Sequence, residues 1–163
     1  MTVAQKPRGD PCVEHADLSA GRRVLEIEGK ALLKLGETLG ESFALAIERL
    51  STITGRVVFT GMGKSGHICR KLAATMASTG TPSLFVHPAE ASHGDLGMIT
   101  RQDAVLALSN SGETTELNDI VKYTRRFNIP LIAVVGRAGS SLGSNADITV
   151  VLPDYPEACP MGL

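Results

Sequence analysis

Two short stretches, Gly61-Met62-Gly63-Lys64-Ser65-Gly66 and Ser109-Asn110-Ser111-Gly112-Glu113-Thr114, each follow an apolar strand-like run and open a helix-like one. The arrangement suits an anion. A strand ending in small residues lets the backbone turn sharply, and the helix start that follows presents unpaired N–H groups at the positive end of its dipole. The hydroxyls of Ser65, Ser109, Ser111 and Thr114 add donors, so a compact phosphorylated ligand can be gripped from both loops at once. Helix capping by Ser111 or Thr114, with Glu113 favouring the dipole, uses the same N–H groups, but three hydroxyls exceed what a cap needs.

Other chemistries fit these loops less well. Gly61 to Gly66 matches G-x-G-x-x-G after a strand, yet a dinucleotide site expects a ribose-binding carboxylate about 20 residues on, at the end of the next strand. That strand ends in Val86-His87-Pro88. A nucleotide P-loop needs a glycine five positions before Gly63, where Val58 stands. A nucleophile elbow needs glycines at the positions held by Ser109 and Glu113. Close packing of helix on strand accounts for one of the three glycines in the first loop, but not for Lys64 and Ser65 between them.

Titratable groups follow both loops. Glu116 falls in the first helical turn after the second loop, where a carboxylate either projects back toward a bound ligand or simply complements the dipole. The segment from His87 to Asp95 carries His87, Glu90, His93 and Asp95 after a strand's carboxyl end. Those groups are compatible with solvated surface or with a transition metal, and their spacing matches no recognised ligand pattern.

The surrounding elements are legible from periodicity. Apolar residues Leu32, Leu35, Leu39, Phe43, Ala46, Ile47 and Leu50 recur at helical spacing between Asp17 and Ile53. Gly36 and Gly40 make two helices with a break as plausible as one, covering the sheet or a partner subunit. Strands are expected at Val57–Thr60, Ser83–Val86, Ala104–Leu108, Leu131–Val135 and Ile148–Leu152. Helices are expected at Lys64–Thr79, with Ile68, Leu72 and Met76 on the packing stripe and Ala73 and Ala77 beside it, at Glu113–Phe127, and near Ser140–Asn145. This alternation predicts an α/β, doubly wound five-stranded parallel sheet flanked by helices, with ligands beyond the carboxyl ends of the strands.

Composition narrows the partners. The 163 residues carry a net charge of -1 with no basic excess, and no Trp, two Tyr and four Phe, so neither a nucleic-acid backbone nor stacked bases find a platform. Residues 1–15 read as a flexible tail without a signal-peptide core, and no apolar run reaches the roughly 20 residues of a membrane span. Cys12, Cys69 and Cys159 read as free thiols in a cytoplasmic protein, with Cys69 a small packing residue.

Taken together, GMGKSGH, ASTGTPSLFVHPAEASHGDLGMIT, SNSGETTE and EACPMGL resemble the sugar isomerase (SIS) domain, specifically that of D-arabinose 5-phosphate isomerases. The resemblance implies a five-stranded parallel fold over residues 16–163. It also implies interconversion of D-ribulose 5-phosphate and D-arabinose 5-phosphate, which supplies synthesis of 3-deoxy-D-manno-octulosonate for lipopolysaccharide or capsule. Ser109 to Thr114 would hold the phosphate with Ser65 assisting, and Gly80, Thr81 and His93 match substrate-contacting positions. Lys64, Glu116 and Glu157 match residues tied to catalysis. No cofactor is required, and His87 matches a position where the family can bind inhibitory zinc. Family members form tetramers, so a homo-oligomer is implied. They also continue past the Glu157 motif with further helices, and longer members then add a pair of CBS domains, so by resemblance this chain is a C-terminally incomplete SIS domain with one sheet face short of cover.

Overall fold

A computed structural model describes residues 16–159 and 161. The expected tail at 1–15 with Cys12, and Pro160, Gly162 and Leu163 of the last motif, lie outside the described residues. The chain divides into two compact units, Met1–Glu37 with Tyr155–Leu163, and Thr38–Asp154. In the first, most of helix α1 (Ala16–Thr38) is exposed and none of its residues is fully buried. Its Glu26 and Lys30 form an i,i+4 ion pair at 2.6 Å.

The second unit holds the sheet. It begins with α2 (Glu41–Thr52), separated from α1 by Leu39 and Gly40, so the two-helix reading holds. Then come β1 (Val57–Thr60), α3 (Gly63–Ser78), β2 (Ser83–Phe85), α4 (Pro88–Ala91), β3 (Ala104–Ser109), α5 (Asn118–Phe127), β4 (Leu131–Val135), α6 (Ser141–Asn145) and β5 (Ile148–Val151). The five strands run parallel in the order β2-β1-β3-β4-β5. All four residues of β1 are buried, as expected of a central strand covered on both faces, which reads as continuous apolar sequence.

The two faces are packed differently. Val58, Val105, Ala107, Leu131, Ala133 and Val135 join Leu117, Ile120 and Leu142 in the larger core. On the other face Val57 and Phe59 pack with Cys69 and Ala73 of α3, flanked by half-buried Leu50, Met76, Leu106 and Leu108. The packing stripe of α3 is therefore Gly66, Cys69 and Ala73, while Ile68 and Leu72 remain 53% and 38% exposed. Small residues win that stripe because Gly66 lies against the backbone of Gly61, and a helix drawn in that close leaves no room for longer side chains. Apolar residues Phe43 and Ile47 of α2 also stay exposed, at 42% and 51%, although α2 packs on β5. Cys69 behaves as expected: it is fully buried, donates its thiol hydrogen to the Thr60 carbonyl at 3.2 Å, and burial pushes its pKa up to about 11.

Two short elements, α4 and a 3-10 turn at Asp95–Met98, were not expected in the segment after β2. The helix after β3 also starts later than its sequence suggests. Residues 113 and 114 remain extended or turned, Thr115–Leu117 forms a 3-10 turn, and α5 begins only at Asn118.

At the amino ends of the strands the buried carboxylate of Asp103 ties β1 to β3. It accepts N–H bonds from Arg56 and Thr100, both at 2.7 Å, and a hydroxyl bond from Thr100 at 3.0 Å, with the Arg56 guanidinium 3.6 Å away. Burial alone would raise its pKa, but these donors together outweigh that cost and hold it below the ordinary value. A depressed folded pKa contributes stability that is present above the unfolded value of about 3.9 and is lost as pH falls through the folded one. Asp103→Asn is thus expected to lower stability at pH 7 and to flatten its decline below about pH 4, as read by urea unfolding at a series of pH values.

Candidate functional site

The site is set by where β1 and β3 end. They are parallel neighbours, with Thr60 in register with Ala107, so the loops that follow them emerge side by side at the carboxyl end of the sheet. The chain goes from β1 to β2 on one side and comes back to β3 on the other, which makes this pair the switch point of the strand order.

The first loop requires each of its glycines. A Cβ on Gly61 would sit 2.8 Å from the Leu108 carbonyl oxygen, and one on Gly66 would sit 2.6 Å from the Gly61 carbonyl oxygen. Gly63 adopts φ +53, which disfavours a side chain. Close packing therefore explains two of the glycines rather than one. Helix α3 starts at Gly63 with no side-chain cap, and its first turn closes only at Gly66 N–H to Met62 O, 3.2 Å. The N–H groups of Gly63, Lys64 and Ser65 consequently find no acceptor among the described residues. Lys64 is exposed, Ser65 is half-buried, and neither side chain has an ion pair or hydrogen bond among the described residues. Just before this loop the Thr60 hydroxyl is fully buried without a partner among the described residues, which costs about 1–3 kcal/mol.

The second loop is held internally. Buried Ser109 places its Oγ 2.8 Å from Thr114 Oγ1 and accepts the Gly112 N–H at 3.1 Å. The exposed Ser111 Oγ accepts the Glu113 N–H at 3.2 Å, and Gly112 turns the chain at φ +69. Thr114 stands at the helix N-cap position but makes no capping bond from its side chain. Glu113 does not serve the helix that follows it. Its carboxylate accepts the Ser141 N–H at 2.8 Å and the Ser141 hydroxyl, and these bonds, the hydroxyl one foremost, hold its pKa below the ordinary value. Gly136 N–H to Asn110 O and Leu142 N–H to Gly112 O, each 2.9 Å, complete the link to the loop after β4 and the start of α6. These commitments explain the late start of α5.

Glu116 is exposed in the 3-10 turn that follows, accepting the Thr115 hydroxyl at 3.1 Å. Helix α4 packs against that turn and against α5, and Ser92 donates to Asp119 at 2.9 Å. The segment carrying exposed His93 thus borders the same carboxyl end, because β2 lies beside β1. His87 caps α4, its Nδ1 accepting the Ala89 N–H at 3.3 Å, with its ring edge-on to Phe85 at 6.1 Å. With that nitrogen engaged, His87 offers only Nε2 toward zinc, which takes about four donors. Among the described residues no group of three or more His, Cys, Asp or Glu is placed to hold a metal ion.

Two expected positions lie elsewhere. Gly80, at φ +98, and Thr81, whose N–H reaches Met76 O at 2.9 Å, end α3 and precede β2. They sit at the amino end of the sheet, about 24 Å from Lys64 along a 16-residue helix. Within one chain they are not brought to the loops. Glu157 is exposed and belongs to the first compact unit. Sequence reasoning missed Glu113 as a long-range clamp, together with Ser141 and Gly136. The only local hint was a carboxylate placed before a proper helix start.

The fold and the paired loops define a doubly wound α/β domain with its donor-rich loops side by side at the switch point. Residues 49–162 match the SIS domain, and the chain belongs to that family. It is 51% identical over 144 residues to the arabinose 5-phosphate isomerase KdsD of Shigella flexneri and 48% identical over 146 residues to that of Pseudomonas aeruginosa, covering 88% and 90% of this chain. The chain spans 44% and 45% of the length of those two relatives. Among solved structures, E. coli CFT073 c3406 in complex with arabinose 5-phosphate superposes with TM-score 0.86 at 42% identity, covering 93% of this chain and 81% of that one. No helix among the described residues is long and apolar enough to cross a membrane.

Because Gly112 combines a left-handed backbone with a tight contact to Ser140, Gly112→Ala is expected to cost about 1–3 kcal/mol of stability. The shift in urea midpoint measures it.

Proposed function

We propose that this chain carries the catalytic domain of an arabinose 5-phosphate isomerase, interconverting D-arabinose 5-phosphate and D-ribulose 5-phosphate. The observation that carries the reading is that β1 and β3 are parallel neighbours, so the loop with the unpaired N–H groups of Gly63 to Ser65 and the hydroxyl-rich loop 109–114 emerge side by side, with Lys64 on one and Glu116 just beyond the other. The kinship with enzymes of that name, and with a structure holding arabinose 5-phosphate, supports the choice of sugar.

In the proposed step the phosphate rests on Ser109, Ser111, Thr114 and Ser65, which leaves the carbonyl end of the sugar beside the acid and ammonium groups. A carboxylate takes the proton from C2 of the aldose, the released electron pair forms the C1–C2 double bond, and O1 gains charge and is protonated. The resulting enediol then loses its O2 proton, C2=O forms, and the proton returns to C1. Glu116 takes part in the acid and base work and Lys64 stabilises the oxyanion where negative charge develops, while Glu157 is assigned a share of the acid and base work on its match to a family position alone. His93 contacts substrate from the segment after β2. Gly80 and Thr81, at the other end of the sheet, join such a site only from a second copy, in keeping with a homo-oligomer. His87 is a zinc position only if further donors are supplied from outside the described residues. We place the enzyme in the cytoplasm, feeding 3-deoxy-D-manno-octulosonate synthesis.

A coupled assay with ribulose 5-phosphate tests this, run on the present chain and on a form extended to the length of its relatives. Turnover in at least one form is expected. Binding without turnover in both would instead make the domain a non-catalytic sugar-phosphate sensor. In the active form Ser111→Ala is expected to weaken phosphate-bearing ligands by about 1–3 kcal/mol. Lys64→Ala is expected to cut kcat well beyond any change in KM, and equal losses in both would remove Lys64 from its role.

A further inference from the structure

The end of the sheet away from the two loops carries an open cleft of about 530 Å³ within the second unit, in the size range of small-ligand sites. Its walls come from three helix ends: Arg49 in the last turn of α2, Thr124, Arg125 and Asn128 at the end of α5, and Asn145 at the end of α6, with Asp147 just before β5. Asn128 adopts a left-handed conformation at φ 53, which turns the chain back into Ile129, Pro130 and β4 and hollows the surface there.

In formal charge the lining is net positive, two guanidinium groups against one carboxylate, while the helix carboxyl ends around it add partial negative charge. The Arg125 guanidinium donates from Nε and Nη2 to the Asn145 carbonyl at 3.3 and 3.1 Å, a neutral partner that fixes its plane but leaves its charge. Arg49 is exposed, and its side chain has no ion pair or hydrogen bond among the described residues. The one carboxylate among the lining residues, Asp147, accepts the Leu131 N–H at 2.7 Å and is spent on the start of β4, without an ion pair to either arginine. Two guanidinium charges therefore line a hollow whose carboxylate is hydrogen-bonded to the start of β4. The uncommitted Arg49 guanidinium can meet two phosphate oxygens in bidentate geometry, Arg125, whose Nε and Nη2 hold the Asn145 carbonyl, adds its charge and its remaining Nη protons, and Asn128 adds an amide whose donors are uncommitted among the described residues. None of the described residues lining the cleft is aromatic, so none of them stacks a nucleobase.

We infer that this cleft is a second anion-binding site, separate from the switch-point crevice, that takes a small dianion of the phosphate monoester class. The site stands whether or not the isomerase reading does, since it uses no residue of that crevice.

The test is a titration of the isotope-labelled chain with inorganic phosphate, followed amide by amide in solution NMR against sodium chloride at matched ionic strength. Saturable shifts are expected for Arg125, Asn128, Ile129 and Asp147, as a set distinct from those of residues 63–66 and 109–114. In the Arg49→Ala, Arg125→Ala double variant the cleft set is expected to respond at least tenfold more weakly while the loop set is unchanged. Arg49→Ala alone, at an exposed position, gives the same reading with a smaller loss should the double variant fail to fold. Cleft amides that stay still, that move equally in chloride, or that titrate unchanged without the arginines would overturn the proposal and leave Arg49 and Arg125 as complements to helix carboxyl ends. Loss of the loop set alone would count against the switch-point crevice and not against this cleft.

Discussion

The contact on which the rest of the molecule depends is the approach of backbone to backbone where β1 and β3 end. Gly61 lies against the Leu108 carbonyl, and Gly66 lies against the Gly61 carbonyl, with no space for a side chain at either point. That closeness seats the start of α3 directly over the end of its own strand. It also sets the first loop next to the second. A single methyl group at either glycine would have to push backbone aside, because a carbonyl at this depth has no flexible end to give way.

From that contact the polar chemistry follows. Helix α3 packs on one face of the sheet and α5 on the other, so the chain diverges from neighbouring strand ends, the place where doubly wound sheets open a crevice. In the first loop the N–H groups stay open because Met62 supplies no cap. In the second they are organised differently: Ser109, Gly112 and Thr114 bond among themselves, Asn110 is fastened to the loop after β4, and Glu113 and Gly112 to the start of α6. One loop is ready to donate, while the other is braced so that its remaining donors hold their positions. Preorganisation of this kind lets an anion bind without ordering the loop at the moment of binding.

Much of this was visible in the residues. Strands β1 and β4 coincide with their apolar runs, and β2, β3 and β5 differ from expectation by one residue, because a buried parallel strand is written as an uninterrupted apolar stretch. The loops declared themselves through glycine and hydroxyl content. Where the reading failed, a contact distant in sequence had overruled a local preference. The packing stripe of α3 moved from Ile68 and Leu72 to Gly66, Cys69 and Ala73 because the helix had to approach Gly61. The start of α5 slid from Glu113 to Asn118 because Glu113 was engaged 28 residues away at Ser141.

By itself, the order of residues determined the alternation of strands and helices, the parallel sheet, and the two loops suited to an anion, since these rest on periodicity and on the conformational freedom of small residues. Only the tertiary structure decided that the two loops are neighbours, that Gly80 and Thr81 lie at the opposite end of the sheet, and that Arg49 and Arg125 share a cleft. The physical reason is that strand order and helix approach are fixed by pairing and packing between segments far apart in the chain, about which a local pattern carries no information.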